Sequence, residues 1–460
     1  MNTTEFSSLP LASALLKNID SLEYRMMTPI QAKSLPHILT GKDILAQAKT
    51  GSGKTAAFAI GLIHKIEITN YQVQALVLCP TRELADQVTT EIRRLARAIP
   101  NTKILTLCGG KPMDPQLASL SHQPHIVVGT PGRILKHLEK PSLKLQHLTS
   151  LVLDEADRML DMGFHDDIMR IIKKTPKKRQ TLLFSATYPD EIRQISSAIQ
   201  IEPVDIRVES VHDNEKIKQI FFEVSESEKS NALVKLLQKF RPESSLIFCN
   251  TKQMCQELSN ELSQLGFYAL AIHGDLEQRD RDQVLIQFSN KSSSILIATD
   301  VAARGLDIQE LHAVINFDLS NDAETHIHRI GRTGRADKAG LALSLFIPTE
   351  KFRVDAIAQL QKSDLSIEKA STLRVKKQSR LLPLMVTLCI NAGRKNKIRA
   401  GDILGALTTK DRLSGEQIGK INIFDRLAYV AVDSNVADKA LKILSDGKIK
   451  GRNFRVKILR

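Results

Sequence analysis

The chain has 460 residues, of which 42% are apolar and 25% are charged, with a net charge of +14. These fractions are typical of a folded protein and exclude a mostly disordered chain. No apolar run is long enough to span a bilayer and residues 1–10 lack the features of a signal peptide, so we expect a cytoplasmic protein with no membrane partner.

The positive charge is concentrated near the end of the chain. Residues 372–460 contain 20 Lys+Arg and 7 Asp+Glu, so this fifth of the chain holds almost the whole excess. Such an asymmetry indicates a polyanionic partner. The alternative is a solvated basic tail, which is disfavoured because this segment also carries alternating apolar residues.

Two cycles of short apolar runs and helical stretches fill the first four fifths of the chain. Runs that are apolar on both faces are typical of strands in a parallel sheet covered by helices. The pattern predicts two tandem α/β lobes, over residues 1–208 and 216–363, joined by the polar linker 209–215. The predicted strands are Ile44–Ala46, Ala75–Leu78, Ile104–Leu107, Ile126–Val128, Leu151–Leu153 and Thr181–Phe184, then Leu246–Phe248, Ala269–Ile272, Ile295–Ala298, Ala313–Asn316 and Ala342–Phe346.

A second linker is predicted over 363–380, before a small C-terminal domain at 382–460. Its order of elements is βαββαβ, the split-βαβ plan. The last strand alternates apolar and basic residues, so one face is apolar and the other is cationic. The predicted elements are strand Met385–Ile390, helix Asp402–Leu407, strands Ile418–Ile423 and Leu427–Val432, helix Val436–Leu444 and strand Phe454–Leu459.

A glycine-rich loop between the first apolar run and a helix is the clearest chemical motif. Glycines let backbone N–H groups surround phosphate oxygens, and the following helix directs its positive end at the anion. In this pattern Lys54 contacts the β- and γ-phosphates and Thr55 ligates Mg²⁺. The predicted ATP-binding residues of this loop are Ala48, Lys49, Thr50, Gly51, Ser52, Gly53, Lys54 and Thr55.

An acidic tetrapeptide follows the run Leu151–Leu153. Carboxylates at the carboxyl end of a parallel strand lie at the edge of the sheet where ligands bind. Asp154 is therefore expected to hold Mg²⁺, directly or through water, and Glu155 to orient and deprotonate the attacking water. Together with the glycine-rich loop, this motif indicates a site that hydrolyses a bound nucleotide.

The two motifs, AKTGSGKT and DEAD, resemble those of the DEAD-box RNA helicases, and the family's other motifs follow in order over residues 6–335. The resemblance implies two RecA-like lobes, ATP and Mg²⁺ as cofactors, and RNA as partner. It also implies that Tyr24 lies against adenine, that Gln31 reads the edge of the base, and that Asp307 accepts a ribose hydroxyl.

The same resemblance assigns the RNA-facing and catalytic loops. Ser185 and Thr187 would couple the nucleotide site to strand separation. Arg332 and Arg335 would be arginine fingers from the second lobe, so that hydrolysis requires the lobes to close. Clustered arginines repel one another unless an anion lies among them, so a phosphate partner is physically reasonable. The alternative is a salt-bridge cluster with carboxylates of lobe one. The implied RNA contacts of the core are Thr81, Arg82, Gly110, Thr130, Arg133, Asn250, Gln278, Arg281 and Thr299.

The C-terminal plan is similar to an RNA-recognition motif, with Leu427, Tyr429 and Thr387 at the three base-stacking positions. One aromatic in three predicts weak stacking and recognition of folded RNA through phosphates. The whole chain resembles a bacterial branch of the family whose C-terminal domain anchors it to a hairpin of 23S rRNA in pre-50S particles, and a monomer is expected. The predicted RNA contacts of this domain are Arg394, Lys395, Lys397, Arg399, Lys448, Lys450 and Arg452.

Three alternatives remain open at this point. The C-terminal domain could be a basic but non-selective tether. The protein could be an ATP-gated RNA clamp that unwinds little, although Glu155 and both arginines favour turnover. It could also be a DNA helicase, which the resemblance to RNA enzymes disfavours.

Overall fold

The computed structural model describes residues 4–48, 51–188, 190–208, 217–303, 311–334, 339–374, 382–409 and 412–459. The described residues up to 208 form one compact unit, and those from 217 onward form another. Among them, no helix is both long and apolar enough to cross a membrane. All five cysteines are free and buried, as expected for reduced residues that pack in the core.

Lobe one, the first unit, is a parallel sheet covered by helices on both faces. Within the described residues its strand order is β3-β4-β2-β5-β6-β1-β7. The elements are α1 (Ser13–Ser21), α2 (Pro29–Leu39), β1 (Ile44–Gln47), α3 (Lys54–Lys65), β2 (Ala75–Leu78), α4 (Arg82–Leu95), β3 (Ile104–Leu107), α5 (Met113–Leu120), β4 (Ile126–Gly129), α6 (Pro131–Glu139), β5 (Ser150–Leu153), α7 (Ala156–Asp161), α8 (His165–Ile172), β6 (Gln180–Ser185), α9 (Asp190–Ile199) and β7 (Val204–Arg207).

Lobe two begins the second unit and repeats this topology strand for strand. Its described strands lie in the order β10-β11-β9-β12-β13-β8-β14. The elements are β8 (Ile217–Glu223), α10 (Lys229–Phe240), β9 (Ser245–Phe248), α11 (Lys252–Gln264), β10 (Ala269–Ile272), α12 (Gln278–Ser289), β11 (Ile295–Ala298), α13 (Asp300–Ala303), β12 (Ala313–Asn316), α14 (Ala323–Ile330), β13 (Gly340–Phe346), α15 (Lys351–Gln361) and β14 (Ser366–Lys369).

The central strands are found where the apolar runs predict them, within two residues at each end. Strands such as β2, β4 and β5 are buried along their whole length, because helices cover both faces of the sheet. The sequence pattern missed β7, β8 and β14. The two edge strands β7 and β14 are mostly polar or exposed and therefore lack the continuous apolar signal.

The linker predicted over 363–380 is wrong in its first part. Residues Ser366–Lys369 form β14, which pairs in parallel with β8 of lobe two. The other predicted linker, 209–215, lies outside the described residues.

The C-terminal domain has the predicted βαββαβ order. Its described strands form an antiparallel sheet in the order β16-β17-β15-β18. The apolar faces of both helices and of the sheet enclose one core, which includes Leu388, Ile403, Val430 and Ala440. The elements are β15 (Met385–Ile390), α16 (Ala400–Thr408), β16 (Ile418–Ile423), β17 (Ala428–Asp433), α17 (Ala437–Asp446) and β18 (Val456–Ile458).

The opposite face of this sheet packs against lobe two, within the second unit. Ile286 of α12 lies in an apolar cluster with Cys389, Tyr429 and Leu459. At the edge of the cluster, Asn290 Nδ2 donates to Thr387 Oγ1 at 3.2 Å. The C-terminal domain therefore docks on the helix that begins with Gln278.

Candidate functional site

The glycine-rich loop leads from β1 into α3 at the carboxyl edge of the sheet in lobe one. Gly53 caps α3 with a φ of 94°, a left-handed conformation that favours glycine. Lys54 is buried, and its Nζ donates to the carbonyl of Ala48 at 2.8 Å. Ser52 and Thr55 are half-buried, and Gly51 is exposed. The predicted residues Lys49 and Thr50 lie outside the described part of the chain.

Gln31 connects the predicted adenine-reading segment to this loop. Its Oε1 accepts a hydrogen bond from Thr28 N at 2.9 Å, and its Nε2 donates to Gly53 O at 3.1 Å. A Cβ at Gly53 would lie 2.5 Å from Gln31 Nε2, so a side chain there would displace the amide. The structure thus brings together two motifs that are more than twenty residues apart in sequence.

Asp154 and Glu155 follow β5, beside β6 in the same sheet. Both side chains are buried. Burial raises the pKa of Asp154 to about 7, against the opposing effect of the Lys54 ammonium. Glu155 has a left-handed backbone, with a φ of 52°, and its Oε2 lies 3.4 Å from Arg158 Nε.

The position of Asp154 fits a divalent cation. Its Oδ1 is buried and has no hydrogen-bond partner among the residues that the structure describes. Mg²⁺ is commonly held by one or two carboxylates together with substrate phosphates and water. A cation at this oxygen would neutralise a carboxylate that is otherwise costly to bury.

Asp157, the last residue of the acidic tetrapeptide, is a functional candidate that sequence reasoning missed. Its Oδ2 accepts hydrogen bonds from Ala186 N, Thr187 N and Thr187 Oγ1 at 3.0–3.1 Å. Burial opposes ionisation, but the Lys54 ammonium and these hydrogen bonds hold the pKa of Asp157 below its usual range. Ser185 Oγ in turn donates to Thr187 O at 2.7 Å. Asp157 therefore joins the nucleotide site to the predicted coupling residues.

The RNA-facing residues predicted in lobe one converge at the same edge of the sheet. The guanidinium of Arg82 lies against Gly110, where a Cβ would come within 2.8 Å of its Nη atoms. Thr81 and Thr130 cap the helices α4 and α6. Arg133 Nη1 donates to Lys111 O at 3.0 Å, directly after the two glycines.

Gln116 holds these loops together, and no sequence signal pointed to it. Its buried amide accepts from Arg133 Nη1 at 3.1 Å and contacts His137 Nε2 at 3.0 Å. The same amide donates to Cys108 O at 3.0 Å. Burial, reinforced by Arg133, lowers the pKa of His137, so this ring stays neutral.

The RNA-facing residues predicted in lobe two are arranged in a similar way after their strands. Asn250 Nδ2 donates to Leu319 O at 3.0 Å after β9, and Thr299 Oγ1 accepts from Ala302 N at 3.3 Å after β11. Gln278 begins α12, and Arg281 Nη1 donates to His273 O at 3.3 Å.

The cationic segment that begins in the last turn of α14 is partly neutralised within lobe two. Arg329 is almost fully buried, and its Nε and Nη2 donate to both carboxylate oxygens of Asp300 at 2.7 and 2.6 Å. Its guanidinium also contacts Asn316, Asp318 O and Asn250. The anion that lies beside Arg329 is therefore the Asp300 carboxylate of the same lobe.

Arg332, two residues beyond α14, is buried. The predicted finger Arg335 and the predicted ribose acceptor Asp307 lie outside the described residues. The salt bridge of Arg329 is made with Asp300 of lobe two, and not with a carboxylate of lobe one as the salt-bridge alternative supposes.

In the C-terminal domain, the two basic segments form one surface. Lys450 Nζ donates to Lys397 O at 2.9 Å and lies 4.0 Å from Asp402 Oδ2. The cationic side chains of both segments are exposed: Arg394, Lys395, Lys397, Arg399, Lys448, Lys450 and Arg452.

The base-stacking face of the sheet is covered. Tyr429 is 3% exposed beneath α12, and Thr387 is fully buried. The hydroxyl of Thr387 is hydrogen-bonded to Asn290 and Ser292 of lobe two. The prediction of weak base stacking agrees with this arrangement, because lobe two occupies the face that contains Tyr429.

Comparison with known proteins follows the same division of the chain. Residues 28–195 match the DEAD/DEAH box helicase family, residues 228–337 match the helicase conserved C-terminal domain, and residues 387–458 match the DbpA RNA binding domain.

Relatives and solved structures extend this match. ATP-dependent RNA helicase DbpA of Escherichia coli (strain K12) is 52% identical over 99% of this chain and 100% of its own length. DEAD-box ATP-dependent RNA helicase CshA of Bacillus cereus is 44% identical over 80% of this chain and 70% of its own. Dbp5 of S. cerevisiae, bound to RNA and ADP BeF3, has a TM-score of 0.74 at 30% identity, covering 80% of this chain and 96% of that one.

Proposed function

This chain belongs to the DEAD-box ATP-dependent RNA helicases, and we propose that its C-terminal domain anchors it to a hairpin of 23S rRNA during assembly of the large ribosomal subunit. The observation that carries this proposal is that residues 394–399 and 448–452 together form one exposed basic surface. Clustered lysines and arginines suit the phosphates of a folded RNA. The covered sheet face leaves little opportunity for stacking single-stranded bases there.

Each of the predicted site residues of lobe one has a separate role in the binding and hydrolysis of ATP. Lys54 contacts the β- and γ-phosphates, and Glu155 orients the attacking water and takes its proton. Gln31 reads the adenine edge, and Tyr24 lies against the base. Asp157 couples the nucleotide site to Ser185 and Thr187 through the hydrogen bonds described above.

Thr55 and Asp154 would hold Mg²⁺, partly through water. When bound, the cation neutralises charge on the phosphates. The Oδ1 of Asp154, which has no hydrogen-bond partner within the described parts of the chain, supports this assignment.

Lobe two supplies the arginine fingers Arg332 and Arg335, and Asp307 holds the ribose. Because Lys54 and Glu155 belong to lobe one, this assignment requires the lobes to close for hydrolysis. RNA bound along Thr81, Arg82, Gly110, Thr130, Arg133, Asn250, Gln278, Arg281 and Thr299 would favour closure, so RNA and ATP should bind cooperatively.

The anchor is tested by neutralising three lysines of the basic surface, Lys395, Lys397 and Lys450, to glutamine. We expect this variant to lose its preference for 23S hairpin RNA over generic RNA. Its salt slope, log affinity against log salt, should also flatten by about two to three. ATPase at saturating generic RNA should stay near the wild-type rate.

The matched control changes three exposed lysines elsewhere on the same domain, Lys420, Lys439 and Lys442. It alters the net charge equally and should preserve the preference for hairpin RNA. Equal loss in both variants would show a non-selective tether instead of an anchor.

A further inference from the structure

Hydrogen bonds connect the segment that contains Tyr24 to the C-terminal end of α4. Asn18 Nδ2 donates to Leu95 O at 2.8 Å and to Arg94 O at 3.0 Å. The hydroxyl of Tyr24 donates to Glu91 Oε1 at 2.5 Å. These contacts join residues that lie 67 to 77 positions apart in the chain.

Side chains surround the Tyr24 ring as well as its hydroxyl. The guanidinium of Arg94 lies 5.5 Å from the ring centroid, and its Nη1 is 3.6 Å from Glu91 Oε2. The ring of Phe6 is tilted against it, with the centroids 6.3 Å apart. Tyr24 therefore has its orientation fixed at the hydroxyl by Glu91 and along the ring by Arg94 and Phe6.

Tyr24 remains a hydrogen-bond donor throughout the physiological range. Burial, assisted by the neighbouring Glu91 carboxylate, raises the pKa of Tyr24 to about 12. A carboxylate that accepts from a phenol makes a charge-assisted hydrogen bond, which is stronger than a neutral one. The Glu91 carboxylate is only about one fifth exposed, so water competes little for it.

We propose that Glu91 is a positioning residue for nucleotide binding, which holds the Tyr24 ring in the orientation that receives adenine. The proposal rests on the adenine contact of Tyr24 in the proposed function and adds the residue that sets its geometry. An aromatic ring contributes most to a stacked base when it does not have to be ordered on binding. Glu91 lies about 14 Å along α4 from Arg82, so a substitution of Glu91 is remote from the predicted RNA contact of Arg82.

The test is a double-mutant cycle on the full-length protein, with KM for ATP measured at saturating RNA. Glu91→Ala should raise KM for ATP about three- to tenfold, with kcat within about twofold. Glu91→Gln, whose amide oxygen still accepts a hydrogen bond, should stay within about twofold of wild type. In the Tyr24→Phe background, which lacks the hydroxyl, Glu91→Ala should add little.

The control is Glu67→Ala, an exposed carboxylate of lobe one. It should leave KM for ATP unchanged, and at saturating ATP the half-saturating RNA concentration should be unchanged in every variant. The proposal is overturned if Glu91→Ala lowers only the thermal midpoint, or if its effect is equally large in the Tyr24→Phe background.

Tyr24→Ala separates this proposal from the function it rests on. If removing the ring leaves KM for ATP unchanged, the adenine contact itself is wrong, and the proposal fails with it. If Tyr24→Ala raises KM and Glu91→Ala does not, only the positioning role of Glu91 is refuted.

Discussion

The two lobes have the same strand order but treat buried charge in opposite ways. In lobe one, Asp154 is buried with an oxygen that has no partner among the described residues, and its pKa is raised. In lobe two, Arg329 is buried with Asp300 and a ring of acceptors around it. Lobe one thus keeps a charge available for a ligand, whereas lobe two neutralises its own. The fold is shared, and the difference in function lies in the side chains.

The largest effect is expected at Arg332, the residue through which lobe two would act on the reaction. Arg332→Ala should lower kcat for RNA-stimulated ATP hydrolysis by about 10³- to 10⁵-fold, because a finger neutralises charge in the transition state. Single-turnover hydrolysis with saturating ATP and RNA measures this. A wild-type rate would contradict the assignment and leave lobe one as the complete catalyst.

Arg329 should behave differently although it is only three residues away. Arg329→Ala removes one partner of a buried ion pair and should cost about 3 kcal/mol of unfolding free energy. Arg329→Lys should not restore it, because an ammonium cannot reproduce the two parallel hydrogen bonds to Asp300.

Denaturant unfolding of the full-length protein measures the stability loss. The control is Lys351→Ala, which breaks an exposed ion pair with Asp355 and should cost less than about 0.5 kcal/mol. Equal losses in the two variants would mean that the network around Arg329 contributes no more than a surface pair.

A pH-dependent effect is expected at Asp154 in protein without nucleotide or divalent cation. Its folded pKa of about 7 lies above the value of 3.8 for a free carboxyl. The folded state is therefore penalised progressively as pH rises from about 4 to 7. Asp154→Asn should remove this penalty, raising stability at pH 8 by at most about 4 kcal/mol and hardly at all at pH 4.

The effect of Asp157 on stability has the opposite sign, since its pKa in the folded state is lowered. Asp157→Asn should lose stability at neutral pH, and the loss should shrink as pH falls below about 4, through the lowered folded pKa. Thermal midpoints of the Asp154 variant from pH 4 to 8, and of the Asp157 variant from neutral pH to below pH 4, test the two predictions. A gain for Asp154→Asn that does not change with pH would refute the buried-charge interpretation.

The sequence predicts the parts of this molecule that have a local signal. Continuous apolar runs predict the central strands, and motifs such as residues 51–55 and 154–155 predict a nucleotide site, because each of these signals is contiguous in the sequence. Edge strands such as β14 were missed because their exposed faces carry no apolar pattern.

Residues whose importance comes from distant partners gave no such signal. Gln116 and Glu91 are ordinary helix residues until the fold brings Arg133 and Tyr24 against them. Covering of the stacking face by α12 also depends on packing between domains, which strand alternation in one domain does not reveal.

The central claim is that lobe one uses its buried carboxylates to hydrolyse ATP when RNA is bound. The most direct test is Glu155→Gln, with ATP hydrolysis and RNA retention measured in the same reaction. Our account predicts that hydrolysis slows by about 10²- to 10⁴-fold while ATP and RNA remain bound together. Turnover at the wild-type rate, with RNA released normally, would contradict it.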